Sequence, residues 1–339
     1  MAARQLTAAR LLALVAALVA LVAVTACGSS DDGGSSASAS GATTTAGDGG
    51  ELTPVKIGVV PAATFSPVFV GVEQGIFRRH GIDLQLDVGG LAPTVFPRIL
   101  KGELQLGANT WGTLVTAKAE RLPLTGIAPV DRGGESADDD YQGIVSGPNG
   151  PRDISELNGK TVAVPTLKSF TDAQVKDVLA EHGVDVDSVR FIAIPFPDMP
   201  AALKSGRVDA AGVVEPFFGQ ILADGGHLLT PLSRGQLMGA IVAAERWVEE
   251  NPDIVAKFDA AWAETLDYAE RHPDAVRRAL VTGLRLPEAV ASRMTLPIWV
   301  HEIDPERVQE ISDMMLRTGA IREPVDARSM ITEYPLPAS

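Results

Sequence analysis

The chain alternates short, continuous apolar runs with longer stretches in which apolar residues recur every three or four positions. The runs VKIGVVP at 55–61 and TVAVP at 161–165 are rich in β-branched residues and predict buried strands. The longer stretches predict helices, such as one over roughly 172–182, where Thr171 and Gln174 form a candidate capping box. Strands and helices in alternation predict an α/β fold with a parallel-rich sheet and helices on both faces.

This pattern occurs twice, in the same order and at a nearly constant displacement. The matching segments are IGVVP at 57–61 and TVAVP at 161–165, HGIDL at 80–84 and HGVDV at 182–186, and ILKGELQLGAN at 99–109 and ALKSGRVDAAGVV at 202–214. Many α/β proteins end helices with Gly and begin strands with Val, which explains one match but not three in sequence. We therefore predict two duplicated strand–helix–strand–helix–strand units, with Pro97 at the start of the short helix in the first.

The chain from Glu245 onward is different, because its apolar spacing is mostly helical. Phe258, Trp262 and Leu266 form an apolar stripe, which we expect to pack in a core. The segment 304–321 predicts a final amphipathic helix that ends near Gly319. We expect this C-terminal helical part to pack on the first unit.

Residues 1–26 have the pattern of a signal peptide and not of a folded element. Basic residues precede LLALVAALVALVAV at 11–24, an apolar run too short for a membrane-spanning helix of about 20 residues. The following VTACG resembles the bacterial lipobox, which predicts lipidation of Cys27. A plain signal peptide with a chance cysteine, or an N-terminal anchor, are the alternatives.

Residues 27–53 are then a lipid anchor and a flexible tether, because Gly, Ser, Ala, Thr and Asp leave little apolar surface to bury. Cys27 is the single cysteine of the chain, so neither an intramolecular disulfide nor a CxxC metal site can form. We expect the folded part to work beside a membrane, attached through the lipid alone.

Charge and motif content exclude several classes of function. The chain of 339 residues has a formal net charge of −14, which disfavours nucleic acid as a partner. The five histidines lack metal-ligand spacing, and the GxSxG, P-loop and GxGxxG motifs are absent from the sequence. We therefore expect no metal, no cofactor and no catalytic site.

Duplicated units indicate where a ligand would bind. In open α/β sheets, ligands lie beyond the carboxyl ends of the strands, where helix N-termini present free N–H groups. The six loops that follow the predicted strands are PAATFSP (61–67), GGLAPT (89–94), NTWGT (109–113), PTLKSFT (165–171), PFPDM (195–199) and EPFFG (215–219). The candidate ligand-binding residues on them are Thr64, Phe65, Ser66, Thr94, Asn109, Thr110, Trp111, Lys168, Ser169, Phe170, Thr171 and Glu215.

The chemistry of these loops leaves the sign of the ligand charge open. Hydroxyl groups and the helix N-terminus at 169–171, with Lys168 nearby, suit an organic anion whose body lies against Trp111. Ser169 and Thr171 are equally suited to capping the helix, and Glu215 in the cleft would favour an amine or a heterocycle.

Other residues near these loops also have two interpretations. Phe217 and Phe218 suit either the cleft or the core. Asp131 and Arg132, which precede the acidic loop at 136–141, could reach the rim of the cleft.

Several motifs occur together in the order seen in one protein family. They are a lipobox, IGVVPAATFSPVFVGVEQGIFRRHGIDLQL, GELQLGANTW, ISELNGKTVAVPT and MPAALKSGRVDAAGVVEPF. Over roughly residues 54–270 the chain resembles the substrate-binding lipoproteins of ABC importers in the nitrate, sulfonate, taurine and thiamine-pyrimidine-precursor binding family.

The resemblance implies a two-lobed, type II periplasmic-binding fold. Lobe one would comprise 54–146 and 230–339, and lobe two 147–229, with crossings near Gln142–Ser146 and Leu228–Leu232.

The resemblance also implies a function. The protein would be a monomer on the extracytoplasmic face of the cell membrane that captures a small organic anion resembling a sulfonate. It would deliver this ligand to an ABC permease with its ATPase. A pyrimidine or another heterocyclic or amine ligand is the alternative. An enzyme on the same fold and a structural or adhesion lipoprotein are the alternative classes.

Overall fold

The protein, seen in a computed structural model, is described over residues 51–332. The predicted signal peptide, Cys27 and nearly all of the predicted tether lie outside the described residues. The strands in this range are β1 (Thr53–Val59), β2 (Ile82–Val88), β3 (Leu106–Thr110), β4 (Leu124–Pro129), β5 (Asp131–Arg132), β6 (Gln142–Ser146), β7 (Thr161–Val164), β8 (Arg190–Ala193), β9 (Ala210–Val214), β10 (His227–Pro231), β11 (Gly239–Ala244) and β12 (Ile298–Trp299). The helices are α1 (Ser66–Glu73), α2 (Ile76–Arg79), α3 (Ala92–Leu100), α4 (Trp111–Ala119), α5 (Phe170–Glu181), α6 (Met199–Lys204), α7 (Phe217–Ala223), α8 (Glu245–Glu250), α9 (Pro252–Arg271), α10 (Pro273–Leu284), α11 (Glu288–Ala291) and α12 (Pro305–Arg317).

Two five-stranded sheets repeat one topology. The first sheet has the order β2-β1-β3-β11-β4, and the second, taken from its far edge, has the order β8-β7-β9-β6-β10. In each sheet the first three strands are parallel and the last two join antiparallel. The predicted α/β fold and its duplication are therefore confirmed.

The fourth strand of each sheet comes from outside the strand–helix–strand–helix–strand unit of that sheet. Strand β6 precedes the parallel unit of its sheet, whereas β11 returns to the first sheet after the second is complete. Sheet membership defines what we call the first lobe, residues 53–132 and 239–331, and the second lobe, residues 142–231. The crossings are then 133–141 and 232–238, so that β6 and β10, on which crossings were expected, lie inside the second sheet.

The two crossings pair with each other as a narrow ribbon. The Gly133 N–H donates to the Gln236 carbonyl at 3.0 Å, and Arg132 forms an isolated antiparallel bridge with Leu237. The two segments approach so closely that a Cβ on Gly133 would lie 1.8 Å from the Ser233 Cβ. Only glycine fits at residue 133 without displacing the second crossing.

The C-terminal helices cover the first lobe, as predicted. Helix α9 packs against α1, α2 and β4, and α10 packs against α1. Phe258, Trp262 and Leu266 are fully buried in the cluster under the first sheet, which confirms the predicted stripe. Helix α12 packs on α4 and also reaches α5 of the second lobe.

Two local predictions are corrected. Helix α3 begins at Ala92, with Pro93 in its first turn, and continues through Pro97 instead of starting there. Helix α5 is capped by Ser169, whose hydroxyl oxygen accepts from the Asp172 N–H at 3.2 Å. The predicted capping box at Thr171 and Gln174 is wrong because the helix begins at Phe170, two residues earlier than that box requires.

We expect Trp262 to be a principal source of stability in the first lobe. Its ring stacks on Phe258 with centroids 6.1 Å apart, and its Nε1–H donates to the Pro129 carbonyl at 2.7 Å. Trp262→Ala should lower the free energy of unfolding by about 3–5 kcal/mol, and Trp262→Phe by about 1–2 kcal/mol. Urea denaturation followed by circular dichroism measures both.

The matched control is Leu100→Ala, since Leu100 is 38% exposed and should change stability by no more than about 0.5 kcal/mol. A Trp262→Ala variant as stable as this control would contradict the core assignment.

Candidate ligand-binding site

The carboxyl ends of the two sheets face each other, because loops from opposite lobes are in contact there. Phe170, after β7, packs so tightly on Gly112, after β3, that a Cβ on Gly112 would lie 2.3 Å from the Phe170 ring. Glu215, after β9, accepts a hydrogen bond from the backbone of Thr295 in the first lobe. The loops after β3 and β7 thus meet at a seam between the lobes, and the loop after β9 reaches the first lobe through Glu215.

A buried carboxylate lies at the first-lobe side of this seam. One Asp131 oxygen accepts from the Gly239 N–H at 2.8 Å. The other accepts from the Tyr141 hydroxyl at 2.7 Å and from the Thr64 hydroxyl at 3.3 Å. Asp131 therefore ties the start of the first crossing to its end and to the end of the second.

Complete burial raises the pKa of Asp131 to about 6, even though the hydrogen bonds from Tyr141, Gly239 and Thr64 lower it. Burial likewise raises the pKa of Tyr141 well above its ordinary value, and the adjacent Asp131 charge adds to this increase. The pair is therefore a neutral phenol donating to a carboxyl group that titrates near neutrality.

A second buried carboxylate holds the other end of the crossings. Asp140 accepts from the backbone N–H of Ser233 at 2.8 Å and of Leu232 at 3.2 Å. The Ser233 hydroxyl also donates to Asp140, at 2.5 Å, and in turn accepts from Gln142 Nε2 at 2.6 Å. Burial raises the pKa of Asp140 as well.

The loop before α5 presents fewer free donors than its sequence suggested. Ser169 is occupied as the helix cap, and the Lys168 N–H donates to the Asp172 carboxylate at 2.7 Å. Asp172 is fully buried in the first turn of α5 and also pairs with Lys176 at 2.8 Å. The favourable position for an anion at this helix N-terminus is therefore filled by a carboxylate of the protein itself.

Glu215 lies at the second-lobe side of the seam, before a cis peptide bond to Pro216. Its side chain is buried and accepts from the Gly219 N–H at 3.1 Å. Burial raises its pKa, and the hydrogen bonds from Gly219 and Thr295 oppose that shift. Phe218 packs in the second-lobe core, whereas Phe217 is half-buried.

The remaining nominated residues divide between the core, the seam and the surface. Phe65 belongs to the core under the first sheet, and Ser66 is buried with its hydroxyl donating to the Ala63 carbonyl. Thr94 is exposed and donates to the Leu91 carbonyl, so it is a local turn residue.

The loop after β3 places its three nominated residues inward. Thr110 and Thr113 form a capping box at the start of α4. Asn109 and Trp111 are buried, and Trp111 packs in a cluster with Tyr141 and Phe170. Thr171, on α5 across the seam, is half-buried.

The exposed apolar side chains near the seam lie on the outer loops. Val88 ends β2 and is 41% exposed, Leu91 follows β2 and is 60% exposed, and Leu167 follows β7 and is 48% exposed. Strands β2 and β8 are the edges farthest from the crossings in the strand order, so an opening of the cleft would lie on this apolar side.

Two seam residues were missed by the sequence reasoning. Gln142, the first residue of β6, and Gln174, on α5, are both fully buried and approach the Met238 Sδ at 3.4 and 3.5 Å. For Gln142, the signal in the sequence was a polar residue at the start of the otherwise apolar run QGIVS, at residues 142–146.

The family model described as the NMT1-like family matches residues 48–284. The chain belongs to the NMT1-like family. The resemblance drawn from the sequence motifs is therefore confirmed at the level of the family.

Three similar proteins represent the relatives and structural neighbours of this NMT1-like chain. The formylaminopyrimidine-binding protein of Halalkalibacterium halodurans is 24% identical over 257 residues, covering 70% of this chain and 73% of that protein. The periplasmic aliphatic sulphonate binding protein of Escherichia coli has a TM-score of 0.70 at 18% identity, covering 83% of this chain and 98% of that one. The periplasmic nitrate-binding protein of Synechocystis has a TM-score of 0.67 at 17% identity, covering 82% and 85%. These structures confirm the predicted periplasmic-binding fold.

An ion-pair cluster joins the two lobes of this NMT1-like protein at one side of the seam. Asp177 on α5 accepts from Arg317 on α12 through both carboxylate oxygens, at 2.6 and 2.9 Å, and from Arg234 of the second crossing at 2.8 Å. Burial alone would raise the pKa of Asp177, but the two guanidinium groups outweigh burial and lower it. The ionised carboxylate thus fastens α5 to the first lobe.

Metal-ligand side chains come together in the described part of the NMT1-like chain at Asp267, Glu270 and His301, whose ligand atoms lie within 4.8 Å of one another. The His301 Nδ1 lies 3.8 Å from Asp267 and its Nε2 lies 3.5 Å from Glu270. Because the two ring nitrogens face different carboxylates, an exposed ion pair explains this cluster without a metal.

A surface groove of about 470 Å³ lies between the end of α4 and residues 320–323. It includes the ion pair of Arg121 with Glu323. Helix α4 starts at the seam, so its far end lies away from the candidate site. None of the helices among residues 51–332 combines the length and apolar character needed to span a membrane.

Asp131 should make stability depend on pH in a defined direction. Its pKa is higher in the folded protein, about 6, than in the unfolded chain, 3.8, so its contribution is fully present below pH 3.8 and is lost as pH rises through 6. Urea denaturation of wild type and Asp131→Asn should show a stability difference that changes by about 3 kcal/mol between pH 3.5 and 7, with wild type relatively more stable at low pH. Parallel pH profiles of the two proteins would show that Asp131 titrates normally.

Proposed function

We propose that this protein is the extracytoplasmic substrate-binding component of an ABC importer, which captures a small organic molecule between its lobes. Membership of the NMT1-like family and similarity to binding proteins for formylaminopyrimidine, aliphatic sulphonate and nitrate support this proposal. The duplicated lobes, joined by a narrow ribbon, support a ligand position at the seam, near the loops that follow the parallel strands.

A binding function agrees with the chemistry of the seam better than an enzymatic one. Asp131 and Glu215 have raised pKa values, as catalytic acids often do. Their oxygens, however, accept hydrogen bonds from Gly239, Tyr141 and Gly219, groups that hold the fold together. The shifts therefore arise from structural burial.

The charge of the buried groups supports one ligand class over the other. The charged side chains that are buried in residues 51–332 are Asp131, Asp140, Asp172, Asp177 and Glu215, all of them acids. Burying an organic anion among carboxylates costs free energy unless cations accompany it. We therefore favour an uncharged or amine-bearing heterocycle, the alternative left open by the sequence, and the formylaminopyrimidine-binding relative agrees with that class.

An organic anion resembling a sulfonate is the second candidate. Its support is the similarity in fold to the sulphonate-binding protein and the exposed Lys168 beside the α5 N-terminus. Its head group would meet Ser169 and Thr171, in competition with the Asp172 carboxylate.

Lys168→Met separates the two ligand classes in titration calorimetry. Loss of a charge-assisted contact should weaken binding of an alkanesulfonate by about 1.5–3 kcal/mol, whereas an uncharged aminopyrimidine should lose less than about 0.5 kcal/mol. The matched control is Lys101→Met, because Lys101 follows the C-terminal end of α3 and lies away from the seam. Tight alkanesulfonate binding that depends on Lys168 would reverse our choice of ligand.

We also propose that Cys27 carries the lipid that holds the protein at the membrane, next to the permease and ATPase of the importer, and that it works there as a monomer. Two acyl chains give stable anchoring, whereas one gives only marginal binding. The segment between Cys27 and β1 would then set the distance of the lobes from the membrane.

Cys27→Ala should move the protein from the membrane fraction to the soluble extracytoplasmic fraction, because the variant lacks the thiol that accepts the lipid. Fractionation with immunoblotting measures the distribution, and mass spectrometry measures the acyl mass on the wild type. Ser29→Ala is the control and should remain with the membrane. A Cys27→Ala protein that stays bound would show that another segment provides the anchor.

A further inference from the structure

We propose that four buried side chains at the seam, Asn109, Trp111, Gln142 and Gln174, recognise the ligand through its pattern of hydrogen-bond donors and acceptors. This inference rests on the proposed binding function and specifies its ligand. Asn109 and Trp111 come from the first lobe, whereas Gln142 and Gln174 come from the second.

All four side chains have a buried polar atom without a partner among residues 51–332. The donors are Asn109 Nδ2 and Trp111 Nε1, and the acceptors are Gln142 Oε1 and Gln174 Oε1. Each residue is at most 1% exposed. Buried polar atoms nearly always have hydrogen-bond partners, because a buried donor or acceptor that makes no hydrogen bond costs free energy. Four such atoms from both sides of one seam therefore indicate groups kept for a ligand.

The hydrogen-bond network fixes which end of Gln142 is free. The Asp140 carboxylate accepts from the Ser233 hydroxyl, so the Ser233 oxygen must accept from the Gln142 amide at 2.6 Å. The nitrogen of Gln142 is thereby the occupied end, and its oxygen is the end left over.

Gln174 has the same arrangement. Its Nε2 donates to Gln236 Oε1 at 3.0 Å, while the Gln236 Nε2 is directed at the Met314 sulfur at 3.5 Å. The Gln174 oxygen therefore remains a free acceptor on the second-lobe side of the seam.

Met238 brings the two lobes' groups together. Its sulfur lies 3.4 Å from Gln142 Nε2 and 3.5 Å from Gln174 Nε2. The backbone carbonyl of Met238 accepts from the backbone N–H of Trp111 at 3.0 Å. Asn109 pairs in the sheet with Ala240, two residues beyond Met238.

The ligand that satisfies this set has to accept from the first lobe and donate to the second. An uncharged nitrogen heterocycle with an exocyclic amino or amide group has both kinds of atom on one edge. A sulfonate has acceptors only and would leave both glutamine oxygens without donors. Because the four groups are buried, the lobes must separate for the ligand to reach them.

The test uses Asn109→Leu and Gln174→Met in the full-length protein, with a panel of uncharged aminopyrimidines that includes cytosine and with butanesulfonate as the anionic probe. Titration calorimetry should show aminopyrimidine binding by wild type and about a tenfold or greater loss of affinity in each variant. Asn109→Leu should also unfold, without ligand, at or above the wild-type midpoint, because it removes an unpartnered polar atom.

Gln309→Met is the matched control, since Gln309 has partners at both ends of its amide, the Asp313 carboxylate and the Ala327 N–H. Its ligand affinity should equal that of wild type. Aminopyrimidine binding that survives both seam variants would overturn the inference and keep the proposed function. If wild type binds butanesulfonate but no aminopyrimidine, the inference is likewise overturned and the proposed function stands. If wild type binds neither class of ligand, both the inference and the proposed function are overturned. A lower unfolding midpoint for Asn109→Leu would show that its amide has a structural partner.

Discussion

The architecture depends on burying two carboxylates where the chain passes between its sheets. Asp131 and Asp140 lie at the two ends of the first crossing and hold the second through Gly239 and Ser233. The crossings bury the apolar side chains of Tyr141, Leu232, Leu237 and Met238. The two carboxylates add strong, directional acceptors to this packing, and the desolvation that raises their pKa values is the free energy that the arrangement costs.

Local periodicity was enough to predict most of the fold. The strand runs, the repeated Gly after the helices and the stripe of Phe258, Trp262 and Leu266 are recorded in nearby residues, so duplication and core could be inferred from sequence. The sheets to which β6 and β11 belong could not be inferred from the sequence. An antiparallel strand that joins a parallel unit has the same apolar pattern as any other buried strand. The lobes defined by sheet membership therefore have different bounds from those expected from the sequence.

The site was less predictable because topology gives a loop its place but not its contacts. Position after a parallel strand predicts that Asn109, Phe170 and Glu215 lie near the junction of the lobes, and all three are buried. It did not show that Phe65 would enter the core, or that Asp172 would occupy the helix end expected to meet an anion. The sequence assigned Gln142 to a crossing and Gln174 to a helix cap, because it does not show that an amide oxygen of each would be buried without a hydrogen-bond partner.

The contact of Asp177 with Arg317 has a mechanical consequence. Two crossings define an axis about which the lobes can rotate, and a third attachment away from that axis acts as a catch. The ion pair between Arg317 and Asp177 has to break before the lobes can rotate apart. Its strength would therefore affect the population of the open, ligand-free state. Under the proposed binding function, Arg317 on α12 would then influence how long a ligand stays bound, and a substitution there could adjust release without altering recognition.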